Sequence, residues 1–590
     1  MSQRPWNRDQ GYLLPPSLDD WVAAVHPVRF VAAFVAELPE ETWVEMGVQR
    51  DAAPLGAPRY APELLLSVWL AGFMSGIRTV RKLEYACHYD LSFRWLTAGQ
   101  TPDHNTLWRF YAAHREGMRV LLRQSMEVAV KAELVDLALQ AVDGTKVLAN
   151  AAKERILDEG ALQRLLARVD AAIADLEAQQ RGDDEPPPPS LPAELAQQDA
   201  LRQRVAAALA QVRAVETPRT VNLTDPQARI MKTRQGLRPA YNAQSVVVAL
   251  DPERAGRRGR LIVATQVTTA PDDHGQLAPM ITAAQLPEHR VPLTVADGGY
   301  HSGATLAACA EAGYAVVMPE SQSAAQRRNP YHKDAFRYDP ERDTYTCPAG
   351  REMTMRGTSH GTTGREVLLY RGEPGRCRSC AAFGTCTTAK RWGRTVAVGR
   401  YELALRAHRQ WMETPEAQQA GQRRKSLIEP VFGMIKEQQR AHRMLLRGRH
   451  KVDAEWRLLA IAFNLNTLAR VWAAGQLPGG DYTGDSAQRQ PAAASLDRIR
   501  VKPATKRLIT AQLAGLRRVL GQALEGDGYG LNRLPAGDES RLVFEVQRAT
   551  IPFRQPPTPP APVAAGDRSY PSRRTPRPPS HPRSGRDSCR

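Results

Sequence analysis

Near residue 131 the hydrophobic residues change their period, and the change divides the chain. Before it, in APELLLSVWLAGFMSG and RKLEYACHYDLSFRWL, apolar side chains recur three and four residues apart, the spacing of helices with a buried stripe. TPDHNTLWRFYAAHR opens on Asp103 and Asn105, either of which can cap a helix carrying Trp108, Arg109 and Phe110. After it, LALQAVDGT, NAQSVVVALD and RLIVATQVTT read as strands, HGQLAPMITAAQL as a helix, VPLTVADGGY as a strand, SGATLAACAEAG as a helix and YAVVMP as a strand. Three strands, a helix, then strand–helix–strand predict an α/β domain with a mixed sheet.

Two segments interrupt that pattern. Residues 154–215 hold two Ala/Leu/Gln-rich helical stretches split by DDEPPPPSLP, which predicts a helical hairpin with a proline-broken turn. By itself it reads as a structural arm without chemistry. Residues 320–400 are rich in Arg, Gly and Cys, with short β patches. Beyond about residue 475 the chain turns to Gly, Ala, Gln and Pro, with one helical patch (TKRLITAQLAGLRRVLGQAL) and a Pro/Arg tail from about 551 expected to be disordered.

Charge points to the partner. Lysine and arginine number 80 against 62 acids, a net +18 with a pI near 9.8, and a surplus of that size faces a polyanion, nucleic acid by default. Part of it lies in the tail from Arg568 to Arg590. Short helices with tight turns and basic residues before residue 130 suit a helix-turn-helix reader of DNA; a plain helical bundle fits the same periodicity. Apolar residues make up 42%, enough for real cores. No run approaches the ~18–20 apolar residues of a membrane span. The opening MSQRPWNRDQ lacks the apolar stretch of a secretory signal, so a cytoplasmic, nucleoid-associated protein is expected. The expected parts are a helical DNA-binding domain (1–130), a catalytic α/β domain (131–475, interrupted at 154–215 and 320–400) and an extension with a basic tail (476–590).

Three acids stand out. Asp143 in AVDGTK and Asp297 in VADGGY follow apolar runs, where strand ends of an α/β sheet collect functional groups. Each is followed by glycine, which keeps the space beside the carboxylate clear. Glu429, in RRKSLIEPVFGMIKEQQR, is read as opening a helix with Pro430 in its first turn. Three carboxylates from two strands and a helix can hold hard divalent cations, Mg2+ or Mn2+, and a pair of such ions suits phosphoryl transfer. Asp225, Asp272, Asp273 and His274 lie in neighbouring blocks and read as structural or DNA-facing.

The blocks DGTKVLANAAK, VADGGYHSGATLAAC and RKSLIEPVFGMIKE resemble the three acidic motifs of DDE transposases of bacterial insertion sequences. The resemblance extends through DPQARIMKTRQGLRPAYNAQSVV and upstream from RYAPELLLSVWL to PDHNTLWRF, so that it spans roughly residues 20–475. It implies an RNase H-like core in which Asp143, Asp297 and Glu429 bind two divalent metals. It also implies cleavage at the ends of an element, transfer into target DNA, and a homodimer working on terminal inverted repeats. Two other readings use the same residues. One is a transposase-derived regulator that binds DNA without cutting, against which the intact acids weigh; the other is a nuclease of the same fold without strand transfer.

One subgroup carries Tyr, two residues, Arg, three residues, Glu, six residues, Lys. Glu429 and Lys436 match its last interval, and seven residues turn through about 700°, placing the lysine on the glutamate's stripe with Arg440 near it. Lys425 stands at the arginine position, keeping the charge without the bidentate fork, and Gln422 stands at the tyrosine position. Lys436, Lys425, Arg440 and Arg109 are the candidate DNA contacts.

Of seven cysteines, Cys347, Cys377, Cys380 and Cys386 form a C-x29-C-x2-C-x5-C array. Four thiolates so grouped suit a closed structural zinc site, and a lone CxxC pair would also suit redox chemistry. Arg376, Arg378, Lys390, Arg391 and Arg394 around them predict contact with DNA. Cys87 and Cys309, in apolar helical contexts, read as core.

Overall fold

The computed structural model describes residues 17–50, 59–180, 193–214, 220–256, 259–286, 289–320, 329–339, 341–360, 366–475 and 477. The proline-rich turn at 183–192, the helical patch after residue 500 and the Pro/Arg tail lie outside the described residues.

Helices α1 (Leu18–Trp21), α2 (Pro27–Ala36), α3 (Glu40–Glu45), α4 (Pro62–Met74), α5 (Val80–Tyr89), α6 (Leu91–Leu96), α7 (His104–His114) and α8 (Val120–Lys131) precede the first strand. Every residue of α4 from Leu65 to Met74 is buried, which is why its sequence is apolar all round. Helix α7 begins where expected: the Asp103 carboxylate accepts from Thr106 N at 2.6 Å.

The main sheet is mixed. Strand β1 (Val135–Leu148) lies between β5 (Gly236–Leu250), antiparallel to it, and β7 (Leu293–Ala296), parallel to it; β8 (Ala315–Val317) continues the parallel side. On the far edge of β5, β4 (Arg229–Thr233) pairs with its first half and β6 (Arg260–Thr268) with its second. Helix α11 (Pro252–Ala255) turns β5 into β6. Helices α12 (Leu277–Ala283) and α13 (Gly303–Glu311) precede β7 and β8. The strand and helix assignments from hydrophobic period hold across this region.

Helices α9 (Glu159–Gln180) and α10 (Ala193–Arg213) pack on each other through Leu162, Val205 and Leu209, and the pairing of β2 (Ile156–Asp158) with β3 (Thr220–Asn222) closes their base. Strands β9 (Arg337–Asp339), β10 (Thr344–Thr346), β11 (Glu352–His360), β12 (Glu366–Gly372) and β13 (Thr395–Gly399) form a separate antiparallel meander around Phe336, Tyr345, Met353 and Tyr370. Helix α14 (Pro374–Arg378) lies between β12 and β13.

Helices α15 (Glu402–Met412), α16 (Pro415–Glu437) and α17 (Arg449–Ala473) complete the fold. α17 is almost wholly buried and covers the exposed edge of β6. Its Asn464 accepts from Ile262 N and donates to Ile262 O, each at 2.8 Å, and its Asp453 accepts from Val267 N at 2.7 Å. Side chains thus satisfy backbone groups that a sheet edge would otherwise leave open. Among the described residues no helix is long and apolar enough to cross a membrane.

Candidate functional site

Asp143 does not end its strand, as its sequence context suggested. β1 runs five residues further because β5 keeps pairing with it, from Asp143↔Ser245 to Leu148↔Ala240. What ends there is the other neighbour: the parallel ladder with β7 stops at Val142↔Ala296. Asp143 therefore flanks the gap beyond β7, and Asp297, the first residue after β7, caps the short 3-10 turn that follows. Each carboxylate accepts from a following glycine: Gly144 N to Asp143 Oδ1 at 2.8 Å, and Gly299 N to Asp297 Oδ1 at 2.7 Å.

The two acids feel one another. Burial first, and the Asp297 charge second, push the Asp143 carboxyl up to about 6. Arg424 of α16 opposes this, its Nη1 lying 3.0 Å from Asp143 Oδ2. Two carboxylates thus repel each other at this point, and one of them is paired with a guanidinium.

Glu429 sits inside α16 rather than at its start, because the helix begins at Pro415 and continues through Pro430. Pro430 has no N–H for the carbonyl of Ser426, four residues back; Arg260 Nε donates to that oxygen instead, at 2.8 Å. Lys425 consequently shares the helix with Glu429 and Lys436. Glu429 is exposed and forms no hydrogen bond or ion pair among the described residues. Arg424 reaches Asp143 and Lys436 Nζ donates to Thr145 Oγ1 at 2.5 Å, so the helix bearing Glu429 covers the Asp143/Thr145 face of β1. Lys436 thus points to the strand beside the acids, and burial lowers its pKa. Arg440 departs from expectation: α16 ends at Glu437, and Arg440 has φ 55°, off the stripe of Lys436. Lys425 and Arg109 are exposed.

Asp273 proves closer to the site than its sequence suggested. It accepts from Asn242 Nδ2 at 2.7 Å and Gln244 Nε2 at 2.6 Å, with Lys146 Nζ at 3.7 Å. These partners share the sheet face opposite Asp143, since side chains alternate and Gly144↔Gln244 and Lys146↔Asn242 are cross-strand pairs. Gln244 also accepts from the buried Tyr300 hydroxyl. Two buried amides two residues apart in the apolar run NAQSVVVAL were the available signal. For Arg424 it was only a basic cluster. Asp225 is structural, accepting from Tyr241 Oη at 2.8 Å and Gly448 N at 3.2 Å; Asp272 and His274 are exposed.

The four clustered cysteines are free thiols lining one cavity of about 40 Å3 beneath the meander. Arg394 N donates to Cys377 Sγ at 3.4 Å, and burial raises the Cys386 thiol. Among the described residues, however, no group of three or more His, Cys, Asp or Glu side chains is arranged to hold a metal ion. Cys87 and Cys309 are fully buried, as expected, and burial pushes both thiols up to about 12.

Residues 346–469, which include Glu429 and Lys436, match a family described as a transposase DDE domain; residues 16–113, the first helices, match a transposase domain (DUF772). Among curated proteins and solved structures nothing matches the chain. The transposase DDE match, in a chain with a mixed α/β fold, points to a phosphoryl-transfer enzyme in general; transposases of that family act on DNA and generally use divalent metals such as Mg2+. These two matched segments support a DDE transposase of insertion-sequence type.

Proposed function

We propose that the chain cleaves DNA strands at the ends of its element and joins them to target DNA, with Asp143, Asp297 and Glu429 as the catalytic acids. The observation that carries this reading is the pair Asp143 and Asp297, two mutually repelling carboxylates at the point where β7 leaves β1 without a neighbour. The strand order (β4/β6)-β5-β1-β7-β8, antiparallel on one side of β1 and parallel on the other, supports an RNase H-like core. In this reading residues 1–130 are the DNA-binding domain, 131–475 the catalytic domain with insertions at 154–215 and 320–400, and 476–590 an extension. The chain works as a homodimer on the nucleoid.

Asp143 Oδ2, Asp297 and Glu429 would hold the divalent ions, Mg2+ or Mn2+. Bound there, such ions supply activation of the attacking hydroxyl and charge stabilisation at the leaving oxygen. The protein's own part is positional. Gly144 N and Gly299 N hold one oxygen of each aspartate, and Arg424, 3.0 Å from the other oxygen of Asp143, favours the ionised form of that carboxyl. Lys436, anchored on Thr145, grips the backbone next to the scissile phosphate, with Lys425, Arg440 and Arg109 as further DNA contacts.

Asp143→Asn, Asp297→Asn and Glu429→Gln should each abolish cleavage of a plasmid carrying the DNA that flanks the coding sequence. Binding to the same DNA should persist, since cations supply most of that affinity. Cleavage surviving in the Glu429→Gln chain would remove Glu429 from the site. For the cysteines the reading is a structural zinc site, supported by four thiols on one cavity. Protein made without chelator should carry about one zinc per chain; none on elemental analysis would end that reading.

A further inference from the structure

Beyond the end of β1 lies an open groove of about 680 Å3 that the catalytic reading does not use. Its walls come from places far apart in sequence: the stretch 148–155 at the end of β1, Arg204 on α10, Thr224 after β3, Gln235, Arg238 and Pro239 where β4 turns into β5, and the turn between α16 and α17. An adjoining recess of about 440 Å3 shares Arg155, Arg204 and Arg447 with it. Lys153, Arg155, Arg204, Arg238, Arg443 and Arg447 line the groove, against the single acid Glu154.

None of these six cations is in an ion pair among the described residues. On the same helix pair two arginines outside the groove are matched, Arg202 with Asp170 at 2.6 Å and Arg213 with Glu159 at 2.8 Å. Six like charges converging on one concave wall repel each other, and among the described residues Glu154 is the one acid on that wall. The turn is held by backbone pairing, Leu148 N donating to His442 O at 3.1 Å and Met444 N to Leu148 O at 2.9 Å, and by Arg78 and Glu455, which bond its carbonyls and amides. The groove is therefore rigidly attached to the strand that carries Asp143.

We infer that this groove binds the phosphate backbone of duplex DNA, and that α10 is a DNA-contacting element rather than an inert arm. The inference rests on the transposase reading above for the identity of the polyanion. Leu148 lies five residues along β1 from Asp143, roughly 17 Å at the rise of a strand, or about five base pairs at ~3.4 Å per phosphate. Lys436, on Thr145 and Lys146, stands between the two. β1 thus acts as a ruler, with acids at one point, a lysine next and the basic groove at its end.

The test is fluorescence anisotropy of the full chain with a 30-bp duplex of arbitrary sequence across a KCl series. Arg204→Glu/Arg238→Glu should lower the salt slope by about 2, near 0.9 per lost phosphate contact, and weaken binding at least tenfold at ~0.1 M KCl. A control, Arg164→Glu/Arg168→Glu, reverses two exposed α9 arginines that do not line the groove and should leave the slope unchanged. Matching thermal melting of both variants establishes that the folds are intact. Equal losses in both would overturn the groove, and equally tight binding of a duplex RNA would overturn duplex DNA as its occupant. A wild-type chain that binds no DNA would instead sink the underlying reading. On a cleavable donor, trimming the duplex to under five base pairs from the cut should slow the wild type and leave the groove variant indifferent; a variant still slowed would refute the ruler.

Discussion

Gly144 shows how little room the site leaves at the level of single atoms. A Cβ there would lie 2.7 Å from Asp273 Oδ1 and 2.9 Å from Asn242 Oδ1, with the Gln244 amide closer still. The glycine is needed for proximity, not for an unusual backbone angle. Gly144→Ala should therefore cost about 1–3 kcal/mol, in the range of overpacked cores. It should also reduce plasmid cleavage beyond the fraction unfolded; melting and cleavage measured on the same preparation check both. His408 offers a titration away from the acids. Burial, with His301 adding to it against the Met318 carbonyl, brings its imidazole down to about 4 from an ordinary 6.5. Between those values the unfolded chain binds a proton that the folded chain refuses, so stability is full above pH 6.5 and is lost as pH falls toward 4. Moving from pH 7 to pH 5 should remove about 2 kcal/mol through this group. His408→Gln, which keeps a donor for Met318, should flatten that loss in urea titrations; an equally steep variant would place the effect elsewhere.

At the scale of elements, α16 is a helix with a proline in its interior and a repair built on another strand. Arg260 of β6 serves the carbonyl that Pro430 cannot. Pro430→Ala restores the missing N–H, so the two residues should couple in a double-mutant cycle. Arg260→Ala alone should cost about 0.5–1 kcal/mol for the lost hydrogen bond to the exposed Ser426 oxygen, and less than that in the Pro430→Ala background. Additive values from denaturant melts would show that the carbonyl finds water unaided. The same proline explains why Glu429 looked like a helix start: proline favours the first turn, and only the supporting contact reveals that this one sits deep inside.

For the whole molecule, a buried ion pair lies in the joint between the N-terminal helices and the α/β fold, beside the apolar packing of α17 on α2, α4 and α8. Arg78 and Glu455 side chains are 5% and 2% exposed. Arg78 also donates to Arg440 O at 2.6 Å and Arg443 O at 3.1 Å, and Glu455 accepts from Leu445 N and Leu446 N at 3.0 Å. Removing either partner strands a buried charge: Arg78→Met or Glu455→Met alone should cost about 3–5 kcal/mol. The double variant should cost clearly less than the sum, because no unpaired ion remains. Strict additivity in chemical denaturation would mean that the pair contributes no mutual interaction.

Much was legible in the chain because it is local. Hydrophobic period separated the early helices from the α/β core, apolar runs ending in Asp-Gly marked β1 and β7, and Asp103 marked the start of α7, since each depends on neighbours within a few residues. The rest depends on partners far along the chain. Whether β1 stopped at Asp143 was decided by β5, a hundred residues on, which pairs with it as far as Leu148. That Asp273 backs the site through Asn242 and Gln244, that Arg424 rather than Lys425 reaches Asp143, and that Arg204 joins Arg443 in one groove are all products of packing. Sequence spacing carries direction only within one helix or strand; once the chain turns, as at Arg440, which residues meet is set by the tertiary fold alone.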